Sequence, residues 1–161
     1  MAIEVRKRLP MQGGAGGGSS DAATVLVALN ELRGIRLPAS ELAALGLALG
    51  ADVPVFVHGQ AAWAEGVGER LTPVELPETV YLLVRPDATV ATAEIFKAPE
   101  LTRDSPTITI RDFLLGGGRN DCEPVVRRRF PAVAEALDWL GRFPPARPTG
   151  TGSCVFAAMP D

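Results

Sequence analysis

The chain has 161 residues, 47% of them hydrophobic and 22% charged, which fits one ordinary domain or two very small ones with a buried core. Its formal net charge of −3 disfavours a protein that binds the phosphate backbone of nucleic acid. Two cysteines exclude a disulfide scaffold, and a single histidine, His58, excludes a multi-histidine metal site. Because no apolar run approaches the roughly 18 residues that span a bilayer, we expect a soluble, cytoplasmic protein with no membrane partner.

The chain opens with a predicted strand, which is followed by a glycine-rich segment and a helix. Residues Ile3–Leu9 alternate between apolar and charged side chains, a pattern typical of a strand with one face in water. Beyond the glycines, the spacing of Val25, Leu29 and Leu32 predicts an amphipathic helix that ends near Gly34. The glycine-rich segment therefore runs straight into the first turn of a helix.

A second helix and a hairpin are predicted next. The helix covers roughly Ser40–Leu49 and cannot continue through Pro54, which disfavours helical geometry at the residue before it. Residues Ala61–Val74 have the pattern of a hairpin, with Gly66 and Gly68 as its turn residues. The apolar face of the helix is expected to consist of Leu42, Leu45 and Leu49.

The second half of the chain is predicted to begin with a buried strand, Val80–Val84, and a short helix, Thr89–Phe96. Helical periodicity resumes at Asp121–Phe130 and again at Pro131–Leu140. A strand over Cys154–Ala158 is expected last, after a turn of small residues. The final helix has three apolar residues in phase: Val133, Leu137 and Leu140.

The order of these elements, βαα, hairpin, βαα, β, predicts an α+β fold. Pro73 and Pro77 interrupt the pattern and predict a domain boundary. We therefore expect one domain over residues 1–77 and another over residues 78–161.

The glycine-rich segment is the most unusual part of the sequence. Five glycines and two serines between Gly13 and Ser20 leave the backbone N–H groups unobstructed, and a helix N-terminus beside them favours negative charge. This arrangement predicts a phosphate site, with a flexible linker as the alternative. Ser19, Ser20 and Asp21 suit helix capping, and a serine hydroxyl there would also reach a phosphate oxygen or a magnesium ion.

Three common phosphate-binding loops are excluded by inspection. A Walker A loop needs lysine directly after glycine, and neither Lys7 nor Lys97 has that position. No register within Gly13–Ser20 supplies the glycines of a dinucleotide fingerprint, and protein-kinase signatures are absent from the sequence. A different class of phosphate binder is required.

Several segments together resemble the GHMP kinases, a family of small-molecule kinases with a two-domain α+β architecture. They read PMQGGAGGGSSDAATVLVALN, LGADVPVFVHGQAAWAEGVGE, IFKAPEL, NDCEP and TGTGSCVF. Within the family the chain is most similar to the members that phosphorylate the 2-hydroxyl of cytidine diphosphate-linked methylerythritol, in the non-mevalonate route to isoprenoid precursors. The resemblance implies ATP and Mg²⁺ as cofactors and a small-molecule substrate, and it implies no metal ligands from the protein.

The resemblance also assigns roles to individual residues. Asp52 matches the carboxylate beside the acceptor hydroxyl, whereas its spacing alone favours a turn or cap after Gly50. Phe96 matches an aromatic that stacks on cytosine, with Thr92 in the same substrate-lining segment; the alternative for Phe96 is a core residue. The implied ATP-binding residues are Pro10, Met11, Gln12, Gly13, Gly14, Ala15, Gly16, Gly17, Gly18, Ser19 and Ser20. A phosphate-proximal loop is implied at Gly150, Thr151, Gly152 and Ser153, which also fit a tight turn before a strand.

The chain departs from the family pattern inside the loop and at both ends. Gln12 stands where glycine is usual, and Ala15 where leucine is usual. The upstream strands, with a lysine near the transferred phosphate, and a further helix and strand after Asp161 have no match. We therefore expect an internal fragment, truncated at both ends, that self-associates or forms a homodimer. Two alternatives are a catalytically incomplete segment that only binds nucleotide or is structural, and a GHMP kinase for another alcohol.

Overall fold

The structure is a computed structural model that describes residues 2–9, 11, 13–142 and 145–159. By its internal contacts the chain divides into two compact units. The first comprises the described residues of Met1–Arg8 and Gly16–Pro77, and the second those of Leu9–Ala15 and Glu78–Asp161. Two of the predicted ATP-binding residues, Pro10 and Gln12, lie outside the described residues.

The first unit contains three helices and a hairpin. Helix α1 covers Gly17–Leu32, α2 covers Ala39–Leu47 and α3 covers Val53–His58. Pro54 lies in the first turn of α3, where backbone N–H groups have no acceptor within the helix, so the N–H that proline lacks is not needed there. The proline that was predicted to prevent α2 from continuing therefore lies at the start of a new helix. Strands β1 (Ala62–Glu65) and β2 (Arg70–Pro73) pair antiparallel, which confirms the predicted hairpin. Gly66 and Gly68 both have positive φ in its turn.

The prediction for the buried face of α2 was wrong for two of its three leucines. Leu42 is buried, but the side chains of Leu45 and Leu49 are 53% and 64% exposed. The buried face instead combines Leu42 and Ala43 with Gly46. A Cβ on Gly46 would lie 2.7 Å from a methyl of Val53, so the close packing of α2 against α3 at this glycine sets the face.

The predicted strand at the start of the chain was also wrong. Residues 2–8 are exposed and have no regular structure, because no strand within the described ranges pairs with them and an isolated strand has no hydrogen-bonding partner. These residues lie along α1, and the Lys7 ammonium pairs with Asp21 on that helix. The α1 face predicted from Val25, Leu29 and Leu32 is only partly covered, and Leu32 is exposed.

The second unit has a three-stranded antiparallel sheet in the order β3-β5-β4. These strands cover Tyr81–Val84 (β3), Arg147–Pro148 (β4) and Val155–Ala158 (β5). Helix α4 is Thr92–Lys97, and α5 is a single turn, Ile110–Asp112, that leads into a π-helical segment, Phe113–Gly117. Helices α6 and α7 cover Glu123–Arg129 and Pro131–Leu140. The order of elements gives the predicted mixture of helices and strands, an α+β fold.

The core of the second unit lies between α4, α6, α7 and the sheet. Val133, Leu137 and Leu140 are all buried, as the periodicity of α7 predicts. They pack in one cluster with Ile95 of α4 and Val155 of β5. Strand β3 differs from the prediction of a buried strand: it lies at the edge of the sheet, and its residues are largely exposed. None of the helices in the described ranges is long and apolar enough to cross a membrane.

Candidate functional site

Helix α1 begins directly on the glycine-rich segment. Gly16 precedes the helix with a φ of 67°, a left-handed conformation that favours glycine, and no side chain of the described residues caps this end. The Ser20 amide donates to the Gly16 carbonyl at 2.9 Å, which is the first hydrogen bond of the helix. The amides of Gly17, Gly18 and Ser19 therefore have no acceptor within the helix and are available to an anion.

The prediction that Ser19, Ser20 or Asp21 caps α1 was wrong. The helix already begins at Gly17, so these three residues lie within its first turns rather than before them. Asp21 pairs with the Lys7 ammonium instead. Neither serine is needed to hold the end of the helix, and both hydroxyls remain candidates for contact with a phosphate.

Two glycines at this end of α1 differ in the space around them. A Cβ on Gly16 would lie 2.8 Å from the ring of Phe56, so the fold itself requires glycine there. A Cβ on Gly18 would have no atom within 4 Å. Packing within the chain therefore gives no reason for glycine at position 18. Open space beside unpaired amides is what a bound anion needs, and this end of α1 offers both.

Asp52 lies close to the same end of α1. It occupies the residue before α3, is exposed, and makes no capping hydrogen bond with its side chain. Two residues earlier, a Cβ on Gly50 would lie 3.8 Å from the hydroxyl of Ser19, so the turn leading to Asp52 runs beside the first turn of α1. The first unit thus brings the carboxylate of Asp52 and the glycine-rich helix end into one neighbourhood.

The earlier part of the glycine-rich segment belongs to the second unit, where it is bound to the turn that contains Gly150. The Cys154 amide donates to the Gly13 carbonyl at 3.1 Å, and the Thr149 hydroxyl donates to the Gly14 carbonyl at 2.7 Å. Gly14 has a φ of 75°, and a Cβ there would lie 2.2 Å from the Thr149 carbonyl oxygen. Gly14 is therefore required by the close approach of the two segments.

Asn120 is a supporting residue that the sequence analysis missed. Its side-chain NH₂ donates to the carbonyls of Pro148 and Gly150, at 3.0 Å and 2.7 Å, and its side-chain oxygen accepts from the Cys122 amide at 2.9 Å. These bonds fix the turn that contains the predicted phosphate-proximal loop. The available signal was the position of Asn120 in the NDCEP segment that carries the family resemblance.

The predicted loop Gly150–Ser153 and Thr92 come together in the second unit. The hydroxyls of Thr92 and Thr151 are 3.0 Å apart and form a hydrogen bond. Thr151 and Ser153 are both buried, and Gly150 and Gly152 both have positive φ. The side chains of the loop therefore face the protein, and its exposed groups are those of the backbone at Gly150.

Phe96 lies on α4, one turn from Thr92. Phe96 is 57% exposed, whereas the neighbouring Ile95 is fully buried, so the alternative of a core phenylalanine was wrong. An exposed aromatic face is available to stack on a planar ligand. Two predicted loop residues remain in the described ranges: Met11 is 70% exposed, and Ala15 is half-buried.

Two carboxylates that flank Phe96, those of Glu94 and Glu100, pair with Arg129. Hydrogen bonds from Arg129 hold the pKa of Glu100 below its ordinary value, and the same contacts raise the pKa of Arg129. Burial raises the pKa of both thiols, and the nearby Asp121 adds to the effect at Cys122. Within the described residues, no group of three or more His, Cys, Asp or Glu side chains is placed to hold a metal ion.

These features are a helix end with amides open to an anion in the first unit, and an exposed aromatic residue in the second, on an α+β fold. Residues 1–60 match the family model of the GHMP kinases N terminal domain, and residues 107–161 match that of the GHMP kinases C terminal. The chain belongs to the GHMP kinases.

Its relatives include two proteins named 4-diphosphocytidyl-2-C-methyl-D-erythritol kinase. The one from Nitrosococcus oceani is 64% identical over 157 residues, which are 98% of this chain and 56% of that protein. The one from Halorhodospira halophila is 62% identical over 161 residues, again 98% of this chain and 56% of that protein. The chain thus spans about half the length of the curated relatives it matches.

A solved structure has the same fold. It is titled "Crystal structure of 4-(cytidine 5'-diphospho)-2C-methyl-D-erythritol kinase", and it is 32% identical in sequence with a TM-score of 0.80. The match covers 96% of this chain and 60% of that one.

Proposed function

We propose that the chain forms the ATP- and substrate-binding part of a kinase that phosphorylates the 2-hydroxyl of 4-diphosphocytidyl-2-C-methyl-D-erythritol, in the non-mevalonate route to isoprenoid precursors. The observation that carries a phosphoryl-transfer function is the start of α1, where unpaired amides adjoin open space at Gly18. The choice of substrate is supported by the names of relatives that are 61–64% identical over almost the whole chain.

The first role of the chain is to hold a triphosphate. The amides of Gly17, Gly18 and Ser19 donate to phosphate oxygens, and the positive end of the α1 dipole adds a favourable field. Gly16, in its left-handed conformation, is the residue from which the helix starts. Bound ATP would supply the γ-phosphoryl group, and phosphoryl transfer depends mostly on such positioning and charge neutralisation.

Asp52 has the second role, as proton acceptor. The hydroxyl oxygen of the substrate forms a bond to the γ-phosphorus while the bond to the β–γ bridging oxygen breaks, and the hydroxyl proton passes to the Asp52 carboxylate. Its side chain is exposed and makes no capping bond, so it is available for this task. General-base catalysis of this kind typically contributes about 10²–10⁴-fold to the rate.

The second unit supplies the base-binding surface. The exposed ring of Phe96 stacks on cytosine. Thr92 lies one turn before it on α4, and the hydrogen bond from Thr92 to Thr151 joins the Gly150–Ser153 turn to the same helix. Base stacking is worth about 1–3 kcal/mol for one base. It does not by itself distinguish cytosine from another base.

Mg²⁺ is proposed to arrive with the nucleotide. In phosphoryl-transfer sites this ion is bound by phosphates, water and one or two protein oxygens rather than by a full protein cage. The hydroxyls of Ser19 and Ser20 are the protein oxygens we assign to it.

We further propose a domain boundary after residue 77, with a first domain over residues 1–77 and a second over 78–161. It is supported by the separation of residues 16–77 from residues 78–159 into different compact units. A reducing, cytoplasmic location is proposed from the two free thiols, Cys122 and Cys154.

Calorimetric titration with a non-hydrolysable ATP analogue tests the phosphate site. The wild type should bind, and Gly17→Val should abolish binding, because a branched side chain blocks the approach of phosphate to the backbone. Ala44→Val, on the exposed face of α2, is the matched control and should bind normally. Equal affinity of the wild type and Gly17→Val would overturn the assignment.

A further inference from the structure

The position of Phe96 depends on a helix that cannot maintain itself. Helix α4 has six residues, and a helix this short is unstable in water without tertiary contacts. Ile95 anchors one face of it in the core, but the next residue, Phe96, is more than half exposed. The last carbonyls of such a helix also lack intrahelical partners. Something outside the helix must fix the backbone at Phe96.

Arg103 provides that contact. Its guanidinium donates four hydrogen bonds to three backbone carbonyls at the end of α4 and in the turn beyond it. One nitrogen, Nη2, donates to the carbonyl of Phe96 itself at 2.6 Å and to that of Ala98 at 3.2 Å. The other, Nη1, donates to Ala98 and Leu101 at 3.2 Å and 2.9 Å. A cation at this end of a helix is also favoured by the helix dipole.

The geometry points to Arg103 as a positioning residue for the base-stacking ring of Phe96. The inference rests on the proposed function, since it takes Phe96 as the residue that stacks on cytosine. Arg103 acts through the backbone: by holding the Phe96 carbonyl, it fixes the direction in which the Phe96 side chain leaves the helix. It does not itself need to touch the substrate.

A second arginine secures the same segment in a different way. Arg129, at the end of α6, makes a bidentate contact with Glu100 at 2.9 Å and 3.0 Å and a longer one with Glu94 at 3.4 Å. These bonds hold side chains on either side of Phe96, whereas Arg103 holds the Phe96 backbone directly. Loss of Arg103 is therefore expected to affect base binding more than loss of Arg129.

The shape of the side chain matters as well as its charge. The planar guanidinium presents several N–H groups in a fixed fork, which lets it bind three carbonyls at once. A lysine ammonium at position 103 keeps the charge but is a single point donor, so Arg103→Lys should retain part of the effect. Gln removes the charge and most of the donors. The order of base affinity should be wild type, then Arg103→Lys, then Arg103→Gln.

The test is a double-mutant cycle in which calorimetry measures the affinity of each variant for cytidine 5′-diphosphate. Phe96→Ala should weaken binding at least about fivefold if the ring stacks on the base. Arg103→Gln should weaken it by a similar factor in the wild type and have little further effect in Phe96→Ala, because coupled residues are non-additive. Binding of a non-hydrolysable ATP analogue should be unchanged in Arg103→Gln.

Arg127→Gln is the control. Arg127 pairs with Glu123 on α6 and Asp138 on α7 rather than with a residue of α4, so cytidine 5′-diphosphate affinity should not change. Hydrogen exchange of the amides of residues 95–98 gives a readout without ligand, and it should be faster in Arg103→Gln than in Arg127→Gln. If Arg103→Gln weakens cytidine 5′-diphosphate binding equally in the wild type and in Phe96→Ala, the positioning role of Arg103 is overturned. Unchanged hydrogen exchange of residues 95–98 would overturn it as well. Neither result would overturn the proposed base site. Failure of Phe96→Ala to weaken binding, or absence of binding by the wild type, would overturn the proposed base site and the inference with it.

Discussion

Gly18→Ala separates the requirements of the fold from those of a bound phosphate. The Cβ at position 18 would enter open space in the first turn of α1, so the added methyl group causes no steric clash within the fold. Alanine is the better helix former, and the change should raise the free energy of unfolding by about 0.5–1 kcal/mol. For a chain of this size that is a rise in Tm of about 1–4 °C.

The same methyl should interfere with binding. It occupies the space in which a phosphate oxygen would approach the amides of Gly17, Gly18 and Ser19. A hydrogen bond to a charged group is worth about 1.5–3 kcal/mol, so the loss of one predicts a decrease in affinity of about tenfold to a hundredfold. Calorimetry with a non-hydrolysable ATP analogue, combined with a thermal melt, measures both effects on one sample.

Gly34→Ala is the matched control, and its expected results are reversed. A Cβ on Gly34 also meets no atom within 4 Å, but the residue has a φ of 62° after the end of α1. Left-handed backbone disfavours alanine by about 1–2 kcal/mol, so this variant should melt lower and bind the nucleotide normally. The reasoning is refuted if Gly18→Ala binds as tightly as the wild type, or if both variants change in the same direction.

Two further predictions concern chemistry and pH. In a protein that shows turnover, Asp52→Asn should leave the Tm unchanged and lower kcat by about 10²–10⁴-fold, because an amide cannot accept the hydroxyl proton. A near-normal kcat would show that Asp52 is not the proton acceptor. Arg129 lowers the pKa of Glu100 in the folded state, so the stability from this pair is present above about pH 4.3 and is lost as the pH falls through the lower, folded-state pKa. Melts between about pH 6 and pH 3 should therefore show a smaller acid destabilisation in Glu100→Gln than in the wild type, and an identical slope would contradict the linkage.

The elements that could be predicted from the sequence are those whose signal is local. Helix α7 has the predicted bounds and buried face because its apolar residues repeat at the helical period and Pro131 starts it. The hairpin was predictable because Gly66 and Gly68 mark its turn. The buried face of α2 was not, since it depends on Gly46 packing against Val53, a contact that apolar spacing does not encode.

The candidate site was predictable only where its residues form a motif. The glycine-rich segment and Gly150–Ser153 could be singled out separately, but the bond between Thr149 and the Gly14 carbonyl joins residues 135 positions apart. No periodicity in the sequence connects them. The capping prediction for Ser19 and Ser20 was wrong for a related reason: the left-handed conformation of Gly16 starts the helix earlier than a serine cap would.

Three residues outside the predicted site residues share one chemical property. Arg103, Asn120 and Thr149 are side-chain donors that bind backbone carbonyls at Phe96, Gly150 and Gly14. Irregular backbone has no helix or sheet ladder to satisfy its carbonyls, so segments that leave their amides open for a ligand need donors from elsewhere in the chain. Each of these donors therefore fixes one segment of the candidate site from outside the residues predicted to form it. Their loss should loosen that segment while leaving intact the apolar core that Val133, Leu137 and Leu140 build.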